Sequence, residues 1–159
     1  MKLGICPGTF DPVTNGHLDI IERGLRIFDK ILIGVAPSDR KMPLFTLDER
    51  LELIRKVTRG FENVTVSSFD GLLVEYARQQ KGVGIIRGLR AVSDFEYELQ
   101  LALMNRKLAS DVETVFMMPS QEYSFLTSTI VKEIASFGGS VKGLVPEVVE
   151  QALREKFGR

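Results

Sequence analysis

Short β-branched or apolar runs recur along this chain, and stretches of helical period fill the intervals between them. Leu3-Gly4-Ile5-Cys6, Ile31-Leu32-Ile33-Gly34-Val35-Ala36, Val64-Thr65-Val66, Val83-Gly84-Ile85-Ile86 and Thr114-Val115-Phe116-Met117-Met118 are bounded by turn residues and read as five strands. Between them, Leu18, Ile21, Leu25 and Phe28 fall on one helical face, as do Leu47, Leu51, Ile54 and Val57. Strands alternating with helices require a parallel sheet, because each right-handed crossover returns the chain in the same direction. The expected fold is therefore an α/β, doubly wound, five-stranded parallel sheet.

Local signals refine this outline. Thr46-Leu47-Asp48-Glu49 and Ser93-Asp94-Phe95-Glu96 fit the capping box, in which hydroxyl and carboxylate satisfy free amides at a helix start. The second box opens a segment from about Ser93 to Leu108 whose apolar positions suit a buried helix. One more helix is expected from about Thr127 to the stop at Gly138-Gly139, and another from Pro146 to near Gly158. No linker, repeat or low-complexity stretch divides the chain, so 1–159 is expected to form a single domain, enough to bury roughly 70% of its unfolded surface.

The 21 basic and 21 acidic residues cancel, which gives no reason to expect nucleic acid or an acidic membrane as a partner. The lone Cys6 excludes an internal disulfide and a multi-cysteine zinc site, and it sits in an apolar strand pattern, where a small core residue is expected. No secretory signal or membrane-length apolar run is visible, so the expected compartment is the cytoplasm.

In an open α/β sheet the ligand crevice lies outside the carboxyl ends of the strands. Those ends carry Pro7-Gly8-Thr9-Phe10-Asp11, Pro37-Ser38-Asp39-Arg40-Lys41, Phe69-Asp70-Gly71, Arg87-Gly88-Leu89-Arg90 and Pro119-Ser120-Gln121-Glu122-Tyr123-Ser124. Lys41, Arg87 and Arg90 thus share one rim with Thr9, His17 and the hydroxyl residues at 124 to 129. In a chain of zero net charge, such a basic, hydroxyl-rich crevice suits a ligand with several phosphates. There is no G-x-x-x-x-G-K-[ST] P-loop, and the glycines of Gly82-Val83-Gly84-Ile85-Ile86-Arg87-Gly88 are misspaced for a dinucleotide fingerprint.

The only histidine stands at Asn15-Gly16-His17, where a helix begins. Asn15 or Gly16 is the expected cap, and Gly16 also lets a ligand approach the backbone. Unpaired amides and the positive end of the dipole make such a terminus attractive to phosphate. A carboxylate such as Asp11 or Asp19 would satisfy the imidazole structurally. The T-x-G-H setting, with Thr9 in the preceding turn, favours a phosphate donor.

Pro7-Gly8-Thr9-Phe10-Asp11-Pro12-Val13-Thr14-Asn15-Gly16-His17 resembles the T-x-G-H form of the H-x-G-H signature of the nucleotidyltransferase superfamily, with Thr14 where many members carry their first histidine. Ser128-Thr129-Ile130-Val131-Lys132 is similar to its second motif. Arg87-Gly88-Leu89-Arg90-Ala91-Val92-Ser93-Asp94-Phe95-Glu96-Tyr97-Glu98, with Lys41-Met42-Pro43-Leu44-Phe45, closely resembles the bacterial phosphopantetheine adenylyltransferase family. The departures are mild: threonine at 127 and 129, where serine is frequent, and Cys6, where larger residues are common.

The resemblance implies a Rossmann-like nucleotidyltransferase fold and transfer of AMP from ATP to 4′-phosphopantetheine. It implies that His17 stabilises the transition state, that Thr9 bridges the two phosphates, and that Lys41 and Arg87 hold the incoming phosphate. Arg90, Ser128 and Thr129 would hold the β- and γ-phosphates. Phe10, Gly88, Leu89, Arg90 and Glu98, with Tyr123, Ser124, Phe125, Leu126 and Thr127, complete the implied ATP site, and Leu73 would line the pantetheine arm. For Leu73, Tyr123 and Phe125, spacing alone fits simple packing equally well. Mg²⁺ is the implied cofactor, with no ligands assigned, and a homohexamer with feedback by coenzyme A is implied by the family only. Two rivals remain at this level: another small adenylyl- or cytidylyltransferase, and a non-catalytic nucleotide-sensing module.

Overall fold

A computed structural model describes residues 1–38, 42–91 and 95–159. Five parallel strands form one sheet: β1 (Leu3–Gly8), β2 (Lys30–Val35), β3 (Val64–Ser68), β4 (Gly84–Gly88) and β5 (Glu113–Met117). Their order is β3-β2-β1-β4-β5, with β1 against β2 from Leu3 opposite Lys30 to Gly8 opposite Val35. The helices are α1 (Asn15–Gly24), α2 (Leu47–Val57), α3 (Leu73–Gln79), α4 (Phe95–Leu108), α5 (Ser128–Ser136) and α6 (Glu147–Phe157). A 3₁₀ turn occupies Gln121–Tyr123.

The period of two along the strands separates two cores. Cys6, Ile31, Ile33, Val35 and Ile86 face one layer, where they pack with Ile20 and Ile21 of α1, Leu51 and Ile54 of α2, Val131 of α5 and Val149 and Leu153 of α6. Ile5, Leu32 and Ile85 face the other, against Val74, Tyr76 and Ala77 of α3 and the pair Ala109 and Val112. Each fully buried aliphatic side chain contributes roughly 1.5–3 kcal/mol relative to exposure. Helices on both faces of a parallel sheet make the doubly wound architecture expected from the alternation.

Two expectations change. The cap of α1 is Thr14, not Asn15 or Gly16, which begin the helix proper. The stretch to Leu108 is helical, but α4 contains no buried residue; Phe95, Tyr97, Leu103, Met104 and Leu108 are all exposed. Its period is helical, yet this chain supplies little to cover it, because the second face of the sheet is filled by α3 and the turn after α4. Ser93 and Asp94 of the second expected capping box lie outside the described residues, as does Lys41. The first box is present, with Thr46 Oγ1 accepting from the Glu49 N–H and Glu49 Oε2 accepting from the Thr46 N–H. Among the described residues, no helix is long and apolar enough to cross a membrane.

Candidate active site

Strand order reverses at β1: the chain goes to β2 on one side, and β4 lies on the other. At such a switch point the loops leaving the two central strands diverge and open a crevice. A cavity of about 200 Å³ lies there, with Cys6, Pro7 and Gly8 at the end of β1 and Ile86, Arg87 and Gly88 at the end of β4. Phe10, Thr14, Gly16, His17 and Ile20 line it from the first turn and α1, and Arg90, Glu98, Pro119, Tyr123 and Leu126 complete it.

Thr14 and His17 cap α1 reciprocally. Thr14 Oγ1 accepts from the His17 N–H, and the Thr14 N–H donates to His17 Nδ1 at 2.9 Å. A backbone N–H can only donate, so Nδ1 carries no proton and the neutral ring holds its hydrogen on Nε2. Burial, reinforced by the charge of Arg90, lowers the pKa of His17 from 6.5 to about 4. His17 is therefore a neutral donor with a fixed tautomer, its orientation held by Thr14 and by the Phe10 ring 4.8 Å away. Neither carboxylate considered from sequence serves it: Asp11 accepts from Leu44, Phe45 and Lys132, and Asp19 from Ser120 and Arg23. A Cβ on Gly16 would stand 3.5 Å from Thr14 Oγ1, 3.6 Å from Leu126 and 3.7 Å from Tyr123, ordinary packing distances at the mouth of the cavity.

On the β4 side, Arg87 makes a bidentate pair with Glu98 of α4, Nε to Oε2 at 3.0 Å and Nη2 to Oε1 at 2.6 Å. Burial works against the Arg87 charge, but the carboxylate outweighs it and raises the pKa. Arg90 Nη1 donates to the Leu126 carbonyl at 2.8 Å, the Leu89 N–H to Met117 and the Ala91 N–H to Ser124, which pins the segment after β4 to the loop after β5. Cys6 lines the cavity, but burial pushes its thiol up to about 12, which leaves it inert as a nucleophile.

Of the residues expected from sequence, Phe10, His17, Arg87, Gly88, Arg90, Glu98, Tyr123 and Leu126 thus meet at one cavity. Thr9 is exposed between two lining residues. Thr127 caps α5, accepting from the Ile130 N–H, while the Ser128 hydroxyl donates to the Pro12 carbonyl and Thr129 is exposed on the first turn. Leu89 and Ser124 are half-buried and Phe125 is exposed, all outside the cavity lining, and Leu73 packs at the edge of the α3 core. Thr14 was not among the expected ligands, although T-x-x-H at a helix start is the pattern that marks it.

The donor set does not fit a resident Mg²⁺: among the described residues, no three His, Cys, Asp or Glu side chains cluster as a metal site, and Glu98 is taken up by Arg87.

Known proteins resemble this chain over almost its whole length. Residues 5–134 match the family described as cytidylyltransferase-like. The phosphopantetheine adenylyltransferase of Thermodesulfovibrio yellowstonii is 60% identical over 157 residues, 98% of each chain. That of Moorella thermoacetica is 58% identical over 158 residues, 99% of each. The solved structure "The Crystal Structure of a Putative Nicotinate-nucleotide Adenylyltransferase from Vibrio parahaemolyticus" aligns with a TM-score of 0.71, covering 99% of this chain and 95% of its own, at 18% identity. That last likeness concerns the fold alone.

Proposed function

The chain belongs to the phosphopantetheine adenylyltransferase family, and from that premise we propose how its crevice carries out the reaction. The enzyme is a nucleotidyltransferase of coenzyme A biosynthesis: it transfers the adenylyl group of ATP to 4′-phosphopantetheine, giving dephospho-coenzyme A and pyrophosphate. An oxygen of the phosphopantetheine phosphate attacks the α-phosphorus of ATP as the bond to pyrophosphate breaks. The attacking phosphate is already anionic at neutral pH, so no side chain need remove a proton. Catalysis then rests on alignment and on donors aimed at the α-phosphate oxygens.

The observation that carries this reading is the neutral, capped His17 beside the helix-start amides at the β1/β4 switch point. Its Nε2–H donates to the α-phosphate as charge gathers there. Thr9 bridges the two phosphates, Lys41 and Arg87 receive the phosphopantetheine phosphate, and Arg90, Ser128 and Thr129 take the β- and γ-phosphates. Gly88, Leu89, Glu98 and residues 123–127, with Phe10, complete the ATP site, and Leu73 meets the pantetheine arm. Mg²⁺ bound to the nucleotide would offset the triphosphate charge, with no side chain of this chain assigned to hold it. The reading also takes 1–159 as one domain working in the cytoplasm. The bare apolar face of α4 supports self-association, with a homohexamer as the assembly and coenzyme A as a feedback ligand of the same crevice.

Pyrophosphate release from ATP, measured with a panel of acceptors, tests the reading. Turnover is expected with 4′-phosphopantetheine and not with nicotinamide mononucleotide or a phosphorylated alcohol. Absence of turnover with phosphopantetheine would contradict it.

A further inference from the structure

Arg50 of α2 is 2% exposed, one of the largest side chains in the molecule to be so buried. Its Nη1 donates to the Thr9 carbonyl at 2.8 Å and to the Ala36 carbonyl at 2.9 Å, and its Nε to the Phe45 carbonyl at 3.2 Å. One planar guanidinium therefore joins the turn after β1, the chain leaving β2 and the segment entering α2. A fixed fork of donors suits that task, and a single ammonium does not. Asp11, 4% exposed, closes the same knot by accepting from the Leu44 and Phe45 N–H groups, each at 2.9 Å, and from Lys132 Nζ of α5 at 2.9 Å.

Between these anchors stands Phe10, at φ 52, in the left-handed region that a bulky residue rarely adopts. Such a conformation persists only where its surroundings over-determine it. Packing alone would be met by an apolar residue at 50, because burying a cation among carbonyls sacrifices its hydration.

We propose that Arg50 is a positioning residue for adenylyl transfer: its guanidinium fixes the Thr9–Phe10 turn, which sets Thr9 toward the substrate phosphates and Phe10 against His17. The proposal rests on the reading that Thr9 contacts substrate. Arg50 itself touches no ligand and acts through the turn.

A double-mutant cycle on the full chain tests it, with kcat and KM for both substrates and the thermal melt measured for T9A, R50K and T9A/R50K. R50K is expected to melt cooperatively and to lose about tenfold in kcat/KM, with T9A losing a similar factor. The double variant should retain at least about threefold more activity than the product of the two single losses, because both act on one turn. Losses that multiply, or an R50K enzyme with the parent kcat/KM, would overturn the positioning role while leaving Thr9 in place. T9A indistinguishable from the parent would overturn the reading of Thr9 as well. If R50K fails to fold, R50Q takes its place in the cycle, and loss of the cooperative melt in both would overturn the proposal in favour of a structural role.

Discussion

α1 and α4 both follow the central strands at the crevice, but they are held in different ways. α1 is fixed by its own chain: Thr14 and His17 cap it, Ile20 and Ile21 are buried beneath it, and Asp19 accepts from both the N–H and the hydroxyl of Ser120. α4 is longer and more apolar, yet none of its residues is buried, and its ties to the fold are polar, through Glu98 to Arg87 and Arg106 to Glu113. A helix that fixes a catalytic donor needs intramolecular anchors. The bare apolar face of α4 is the basis of the self-association proposed above, and its one half-buried acid reaches into the site.

The sharpest way to test the first half is to remove the donor. His17→Ala should lower kcat about a hundredfold or more, the ~3 kcal/mol typical of a transition-state donor, with ATP affinity little changed. A variant with more than half the parental kcat would move the catalytic weight away from α1. Next in size is the contact that links α4 to the site. Glu98→Gln removes one charge of a bidentate pair and leaves Arg87 half-buried without its counter-ion, so kcat/KM should drop about tenfold. An unchanged value would reduce the pair to a structural tie.

The second half is tested by a charge on the bare face. Leu103 is 51% exposed, and Leu103→Glu should shift the sedimenting species to a smaller assembly while the folded chain melts normally. An unaltered sedimentation coefficient would show that this face does not join subunits. A separate readout of α1 is stability against pH. Because the folded pKa of His17 is about 4 and the ordinary value is 6.5, the unfolded chain takes up a proton that the folded chain refuses. This contribution is complete above 6.5 and is lost as pH falls toward 4. His17→Ala should flatten that part of the curve, and an equal slope in both proteins would contradict the lowered value.

The sheet was legible because its strands are short, apolar and separated by turn residues, and because the period of two needs no distant information. α3 was not, since it spans seven residues and its cap position, Leu72, offers no side-chain acceptor. His17 was legible as a site residue from its neighbours, but the group on its Nδ1 was not: that acceptor role is set by the Thr14 N–H three residues earlier, and neither carboxylate weighed against the phosphate reading reaches the ring. Arg50 and Asp11 were invisible for another reason. Apart from the Lys132 ammonium on Asp11, their partners are main-chain groups of Thr9, Ala36, Leu44 and Phe45, and a main-chain N–H or carbonyl has no signature in sequence. The helical period of α4 was legible, while the lack of anything to cover it depended on how α3 fills the second face.

The central claim is that His17 acts as a neutral donor whose tautomer is fixed by the α1 cap. His17 is the only histidine in the chain, so a ¹⁵N-imidazole titration by NMR reports it alone. The account predicts an Nε2–H ring with an unprotonated Nδ1 and no titration step between about pH 5 and 8, the midpoint lying near 4. A midpoint near 6.5, or a proton on Nδ1, would contradict it.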